Sequence, residues 1–316
     1  MPLDRRTFLT KLASMLALPR TGLSAEAAPR FIEPRQLEFL DNVPPDRGRA
    51  FTDDAKLLIG WVTDAAALDV RVKSGEIIDR RCTFAAVPGA AEPTPLDALA
   101  GRYRLVRPAL KAHDYYGMLF GLLDGVERVT AVILVNRLFR LPVILEEPLG
   151  VGSDVWANAG LLLGFRTAAL DAALAFADMA EEQASRLGVP LIATGQSQAG
   201  GTAQLQIAHL AAAGAGEGRI GFVTCNATCS ASSIRRFGLD PARLPGVNFA
   251  KDLDPLVGPH TWLANRIGLQ VYIHADGSAG LTPQSSYVRA VIHPREHFLD
   301  SFAAVSLEAA LRSVAG

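Results

Sequence analysis

A chain of 316 residues with 49% hydrophobic and 20% charged side chains can bury a large core, which excludes a disordered or fibrous protein. Its 31 basic and 32 acidic residues leave a formal charge of −1 and no long basic run, so nucleic acid is not an expected partner. Beyond the N-terminus no stretch reaches about 18 apolar residues without a charge, so no transmembrane segment is expected.

The first residues carry Asp4-Arg5-Arg6-Thr7-Phe8-Leu9, then an apolar run from Leu12 to Leu18, then Ala25-Glu26-Ala27 among small residues. A charged start, a short apolar centre and an A-x-A site make up an export signal, and the paired arginines before Phe-Leu give it the twin-arginine form. Residues 1–27 are therefore set apart from the fold, and the rest is expected to be exported, to the periplasm or outside the cell. Residues 28–50, with Pro34, Pro44, Pro45 and Gly48, read as an irregular lead-in. From Asp53 to about Lys73, the recurrence of Leu57, Leu58, Trp61, Leu68 and Val72 predicts a helix. Residues 87–101 read as a surface connection. The apolar stretch "KAHDYYGMLFGLLDG" (111–125) reads as a core helix, with a pocket wall as the alternative. Residues 28–128 are thus taken as a helical and irregular region packed on the same domain as a core spanning 129–316.

From residue 129 the pattern changes. Val129–Val135 is β-branched and almost wholly apolar, as in a strand covered on both faces. After a Pro- and Gly-containing loop, Thr167–Arg186 reads as a largely buried helix ended by Gly188, and Val189–Thr194 as the next buried strand. A helix is predicted from Gln198 to about Ala213. Strands follow at Arg219–Thr224, Val247–Lys251 and Gln270–His274, and a helix at about Leu299–Val314 closes the chain. Strands alternating with helices predict an α/β fold, a mostly parallel central sheet covered by helices on both faces.

The junction "LIATGQSQAGGTAQL" (191–205) carries the chemistry. A phosphate loop needs a Lys before Ser or Thr after its glycines, and none is present. A dinucleotide loop needs a second Gly where Ser197 stands. The arrangement that fits is a nucleophile elbow, a strained strand-to-helix turn flanked by small residues, here Gly195 and Ala199. Ser197 is then the nucleophile and the Gln198 backbone N–H an oxyanion donor. A serine nucleophile needs a base and a carboxylate to orient it. "VNFAKDLDPLVGP" offers Asp254, held extended before Pro255, with Asp252 as the alternative orienter. "IHPREHFLDSF" offers His297 as the base, with His293 as the runner-up. His209 reads as a packed or half-exposed helical side chain, His274 as the end of a strand before a turn, and His260 as a loop residue.

Cys82, Cys225 and Cys229 make no disulfide framework. Cys225 and Cys229 can be bridged only if the chain turns between them, and no second pair or spaced histidines completes a zinc set. Small buried thiols are the expectation, and no metal or cofactor is predicted.

Taken in order, Val129–Val135, Ser153-Asp154-Val155-Trp156-Ala157-Asn158, Gly164-Phe165, Thr194–Leu205, Val223–Thr228, "DPLVG" and "HFLDSF" resemble the class 3 (fungal-lipase-like) lipases of the α/β-hydrolase superfamily, over roughly residues 129–305. The resemblance implies an α/β-hydrolase fold and cleavage of carboxylic esters, of lipids in particular, through a Ser197 acyl-enzyme. The family has Arg-Gly-Thr or Arg-Gly-Ser after the early strand, where this chain has Arg137-Leu138-Phe139. That position makes Leu138 the second oxyanion donor. Ala199, for the usual Gly, is the other departure. A catalytically idle binding protein on the same fold, and an acyltransferase using the same three residues, are the alternative functions. The expected partner is a small ester or lipid substrate.

Overall fold

The computed structural model describes residues 34–43, 47–68, 99, 101–113, 115–137, 166–216, 218–229, 231–254, 267–284 and 299–315. They all fall in one unit spanning Phe31–Gly316. A short helix α1 (Glu38–Asp41) and a long helix α2 (Arg47–Leu68) lead into strands β1 (Tyr103–Ala112), β2 (Tyr115–Leu123) and β3 (Val129–Asn136). Then come α3 (Ala168–Leu187), β4 (Leu191–Gln196), α4 (Gln198–Ala212), β5 (Ile220–Cys225), α5 (Ala231–Arg235), β6 (Gly246–Lys251), β7 (Leu269–Ile273), β8 (Ala279–Gly280) and α6 (Leu307–Ala315).

The described strands form one sheet in their chain order, β1 to β8. The five central strands, β3 to β7, are parallel to one another, while β1, β2 and β8 add antiparallel edges. Period-two alternation sorts the strand side chains between two cores. Ile133, Val135, Ile192, Val223, Phe249 and Val271 face one of them. Leu134, Ala193 and Phe222 face the other.

Sequential parallel strands joined by crossovers of one hand put every crossover helix on the same side. Helices α3 and α4 accordingly share one core. The opposite face is covered by α1 and α2 together with α6. Phe51, Ala55, Leu58, Ile59 and Val62 of α2, spaced by three and four, are all buried there. The Asp53 carboxylate accepts from the Leu307 backbone N–H (2.7 Å) and the Ser306 hydroxyl (2.8 Å), so one helix caps the start of another far along the chain. The adjacent Asp54, nearly buried, accepts from Arg102 (2.7 Å) and from the Tyr103 hydroxyl (2.6 Å) of the hairpin. Burial raises the Asp54 carboxyl above its ordinary value, against the lowering by Tyr103 and Arg102.

Three sequence expectations are corrected. Residues 111–125 are not a core helix: Lys111 and Ala112 end β1, and Tyr115–Leu123 form the whole of β2, all nine of whose residues are buried. A strand buried on both faces is a continuous apolar run, and periodicity alone cannot separate it from a buried helix. The lead-in is partly helical, since α1 lies within it and α2 starts at Arg47. The closing helix is two pieces, a 3-10 turn at Leu299–Phe302 and α6, with Ser306 accepting from the Ala309 N–H at the break. Elsewhere the predicted ends agree closely. Thr167 caps α3 by accepting from the Leu170 N–H, and Gly188 ends it at φ 68°.

Candidate active site

Because β4 to β7 are parallel, the residues that follow them gather on one rim of the sheet, the usual place for ligands in such folds. Ser197 follows β4, Asn226 follows β5, Asp252 and Asp254 follow β6, and His274 follows β7.

Only Ser197 separates β4 from α4, so the chain must reverse within one residue. It does so at φ 55° and ψ −123°, a conformation that costs an L-residue about 1–3 kcal/mol and persists only where its surroundings impose it. Those surroundings are on both sides. The Ser197 N–H donates to the Cys225 carbonyl (3.0 Å), and its carbonyl accepts from the Thr228 and Gly201 N–H groups (3.0 Å each). A Cβ on Gly195 would lie 2.4 Å from the backbone carbonyl of Ala199, so position 195 must be glycine. The crowding falls on the backbone of residue 199 rather than on its side chain, and this is why Ala is accepted there. Two further glycines have the same task, unnoticed in the sequence. A Cβ on Gly200 would meet that of Ala227 at 2.9 Å, and one on Gly201 would lie 2.7 Å from the Thr228 carbonyl oxygen.

The 226–228 loop that grips Ser197 is itself held by buried amides. Asn226, at φ 45°, accepts from the Lys251 N–H (2.8 Å) through its side chain and donates its own N–H to the Phe249 carbonyl. The Asn248 side-chain oxygen Oδ1 accepts from the Ala227 N–H (3.1 Å) and the Thr224 hydroxyl (2.9 Å). On the other flank, Asn136 ends β3 and donates to the Thr194 carbonyl (3.2 Å) and to Gln206 of α4 (2.9 Å). It also accepts from the Tyr115 hydroxyl (2.9 Å), whose ionisation burial pushes well above the usual range. Short amide side chains in strands gave no periodic signal by which to find this network.

Gln198 is the first residue of α4, so its N–H lies in the turn whose amides lack a helical acceptor. The Arg137 N–H donates to the Tyr116 carbonyl (3.0 Å), still part of the sheet. An oxyanion donor from this end of β3 must therefore come from a later residue. Leu138, His260, His293 and His297 lie outside the described residues, as do Cys82 and residues 1–27.

Asp254 is fully buried beyond the end of β6, in a turn closed by its N–H to the Lys251 carbonyl (2.9 Å). Strands β4 and β6 are two apart, roughly 10 Å at the usual spacing, a gap that one imidazole can bridge. Asp252, the alternative orienter, is otherwise engaged. Its carboxylate lies 3.4 Å from His274 Nδ1 and accepts from the Gln284 N–H (3.1 and 3.2 Å). His274 stands at the end of a strand before a turn, as expected, and is 5% exposed and paired. It follows β7, three strands or roughly 14 Å from β4, too far to take a proton from Ser197. His209 sits on α4 against Asp178 (2.7 Å), at the surface.

Cys225 and Cys229 are buried and form no disulfide, and they belong to the cores on opposite faces of the sheet. Burial pushes the Cys225 thiol up to about 12. Among the described residues no cluster suited to a metal occurs, and no helix is long and apolar enough to cross a membrane.

No protein-family model matches the chain, and no curated protein matches it. Among solved structures it is similar to the Rhizomucor miehei triacylglyceride lipase (12% identity, 80% of this chain and 93% of that one, TM-score 0.45). It is also similar to lipase II from Rhizopus niveus (11%, 79% and 95%, TM-score 0.43) and to the lipase from Rhizopus microsporus var. chinensis (10%, 87% and 93%, TM-score 0.42). The structural neighbours of this mixed α/β chain are thus fungal lipases.

Proposed function

We propose that the chain is a serine hydrolase of the α/β-hydrolase kind, acting on carboxylic esters of a lipid-like class. Ser197 attacks the acyl carbon, His297 takes its proton and passes it to the leaving alcohol, and Asp254 holds the imidazole in the correct tautomer. Water then releases the acyl group from Ser197 by the same proton relay. The Gln198 and Leu138 N–H groups are assigned to the oxyanion. The observation that carries this reading is the strained backbone of Ser197, imposed from both flanks at the carboxyl rim of the sheet. Strain of this kind persists where a group must be presented in one direction. The buried carboxylate of Asp254, two strands away on the same rim, supports the assignment of the orienter.

A fluorophosphonate probe tests it. The wild-type chain is expected to be labelled at Ser197, Ser197→Ala not at all, and His297→Ala and Asp254→Ala more slowly by about 10⁴-fold. Retained labelling in His297→Ala together with its loss in His293→Ala would transfer the base to His293. A folded wild-type chain that resists the probe altogether would remove the hydrolase assignment. Residues 1–27 are proposed as a twin-arginine export signal. A reporter fused to them should be exported, and Arg5→Lys with Arg6→Lys should block it.

A further inference from the structure

A buried polar cluster spans both arms of the elbow and takes no part in the proposed chemistry. Asn136 ends β3, Gln206 lies on α4 and Tyr115 opens β2, and they are 1%, 0% and 7% exposed. Their bonds to the main chain settle which way each amide faces. Asn136 Nδ2 donates to the Thr194 carbonyl (3.2 Å), and Gln206 Nε2 to the Ala173 carbonyl of α3 (2.9 Å). The second N–H of each amide then closes a ring. Asn136 Nδ2 donates to Gln206 Oε1 (2.9 Å), Gln206 Nε2 to the Tyr115 hydroxyl (3.2 Å), and that hydroxyl to Asn136 Oδ1 (2.9 Å). Every N–H and O–H of the three side chains is used, and the ring bonds all run in one sense. Glycine at 117 makes room for the ring, since a Cβ there would collide with the Tyr115 hydroxyl.

The ring has a mechanical consequence. The contact of Gly195 with the backbone of Ala199 keeps strand and helix from coming closer, but a steric contact does not stop them from parting. Asn136 supplies the opposing tie. Its one amide nitrogen holds Thr194 on β4, ahead of Ser197, and Gln206 on α4, beyond it. At about 1.5 Å per residue Gln206 lies about 10 Å along the helix from Ala199. Two contacts that far apart fix the tilt of α4 on β4, and with it the direction of the Ser197 hydroxyl and the Gln198 N–H. From these contacts we infer that Asn136 and Gln206 are positioning residues for Ser197, with Tyr115 orienting their amides. The inference rests on the hydrolase reading. Apolar side chains could fill the same space, but a fully satisfied polar ring specifies a single arrangement of the elements around it.

The test uses the full chain and an alkyl fluorophosphonate at saturating concentration, with thermal unfolding measured alongside. Labelling then has two readouts. The amplitude counts folded molecules, while the first-order rate constant reports how well each of them presents Ser197. Asn136→Ala is expected to lower the rate constant by about tenfold, as for a shift of about half an ångström where about 1 Å costs about 10²-fold. Gln206→Leu should do the same. The double variant should be little slower than either alone, because both changes remove one tie. Tyr115→Phe leaves the bonds of Asn136 to Thr194 and Gln206 in place, and should lower the melting temperature more than the rate constant. A wild-type rate constant in Asn136→Ala overturns the inference. So does a loss confined to the amplitude, or a double variant whose loss is the product of the two single ones. If Asn136→Ala does not fold, Gln206→Leu decides by its rate constant. Failure of the hydrolase reading is distinct, since then the wild-type chain itself goes unlabelled.

Discussion

Gly195→Ala measures how closely the elbow is built. The added methyl would stand 2.4 Å from the carbonyl carbon and oxygen of Ala199, where an ordinary contact begins at 3.4 Å. Strand and helix must therefore part by about 1 Å, and the atoms met are backbone, which has no rotamer into which to retreat. Overpacking of this kind costs about 1–3 kcal/mol, and at the about 2–4 °C per kcal/mol of a chain this large the melting point should fall by several degrees. The larger effect falls on chemistry. Displacing the Ser197 hydroxyl and the first amides of α4 by about 1 Å should slow fluorophosphonate labelling by about 10²-fold, measured at a temperature where the variant is fully folded. Ala199→Gly is the control, since the close approach already involves the backbone of residue 199. It should label at nearly the wild-type rate. A Gly195→Ala chain with unaltered melting and labelling would refute the account of the turn.

At Asp54 burial is the leading cause and the folded-state carboxyl lies above its unfolded value, so the native state keeps a proton that the unfolded chain has lost. The contribution of this group to stability therefore falls as pH rises through the window between the two values. The stability of Asp54→Asn minus that of the wild type, from urea midpoints, should shrink on acidification from about pH 7 towards pH 4. Growth of that difference would mean that the partly exposed Arg102 pair dominates instead. Asp54→Ala leaves the Tyr103 hydroxyl without its acceptor and should cost about 1–3 kcal/mol at any pH in that range. Asp53→Ala removes the acceptor at the start of α6 and should cost about 1 kcal/mol, with faster hydrogen exchange at Leu307. Peptide mapping after oxidation should recover Cys225 and Cys229 unpaired, and thiol reagents should reach them only on unfolding. A Cys225–Cys229 bridge in folded protein would contradict their placement on opposite faces.

Much of the sheet was legible from pattern alone. The strands that became β3 to β7 are short β-branched or apolar runs, and α3 carries its cap and its glycine stop in plain view. The hairpin of β1 and β2 was not legible, because "YYGMLFGLL" is apolar at every position but its two glycines and has no period to read. At the site, the elbow followed from Gly195, Ser197 and Ala199. Its clamp did not, because Asn226, Asn248, Gly200 and Gly201 act through contacts with distant parts of the chain. His274 looked like a strand end beside a turn, and nothing local announced that β6 would bring Asp252 against it.

Local sequence by itself thus determined where the central strands lie and that one serine must occupy a forced bend, since steric limits on a single residue operate within a few neighbours. Only the tertiary structure decided which residues enforce that bend, what holds the Asp252 carboxylate, and how α1, α2 and α6 cover one face of the sheet. Those outcomes depend on strand order, which sets distances across the rim between residues that no local pattern connects.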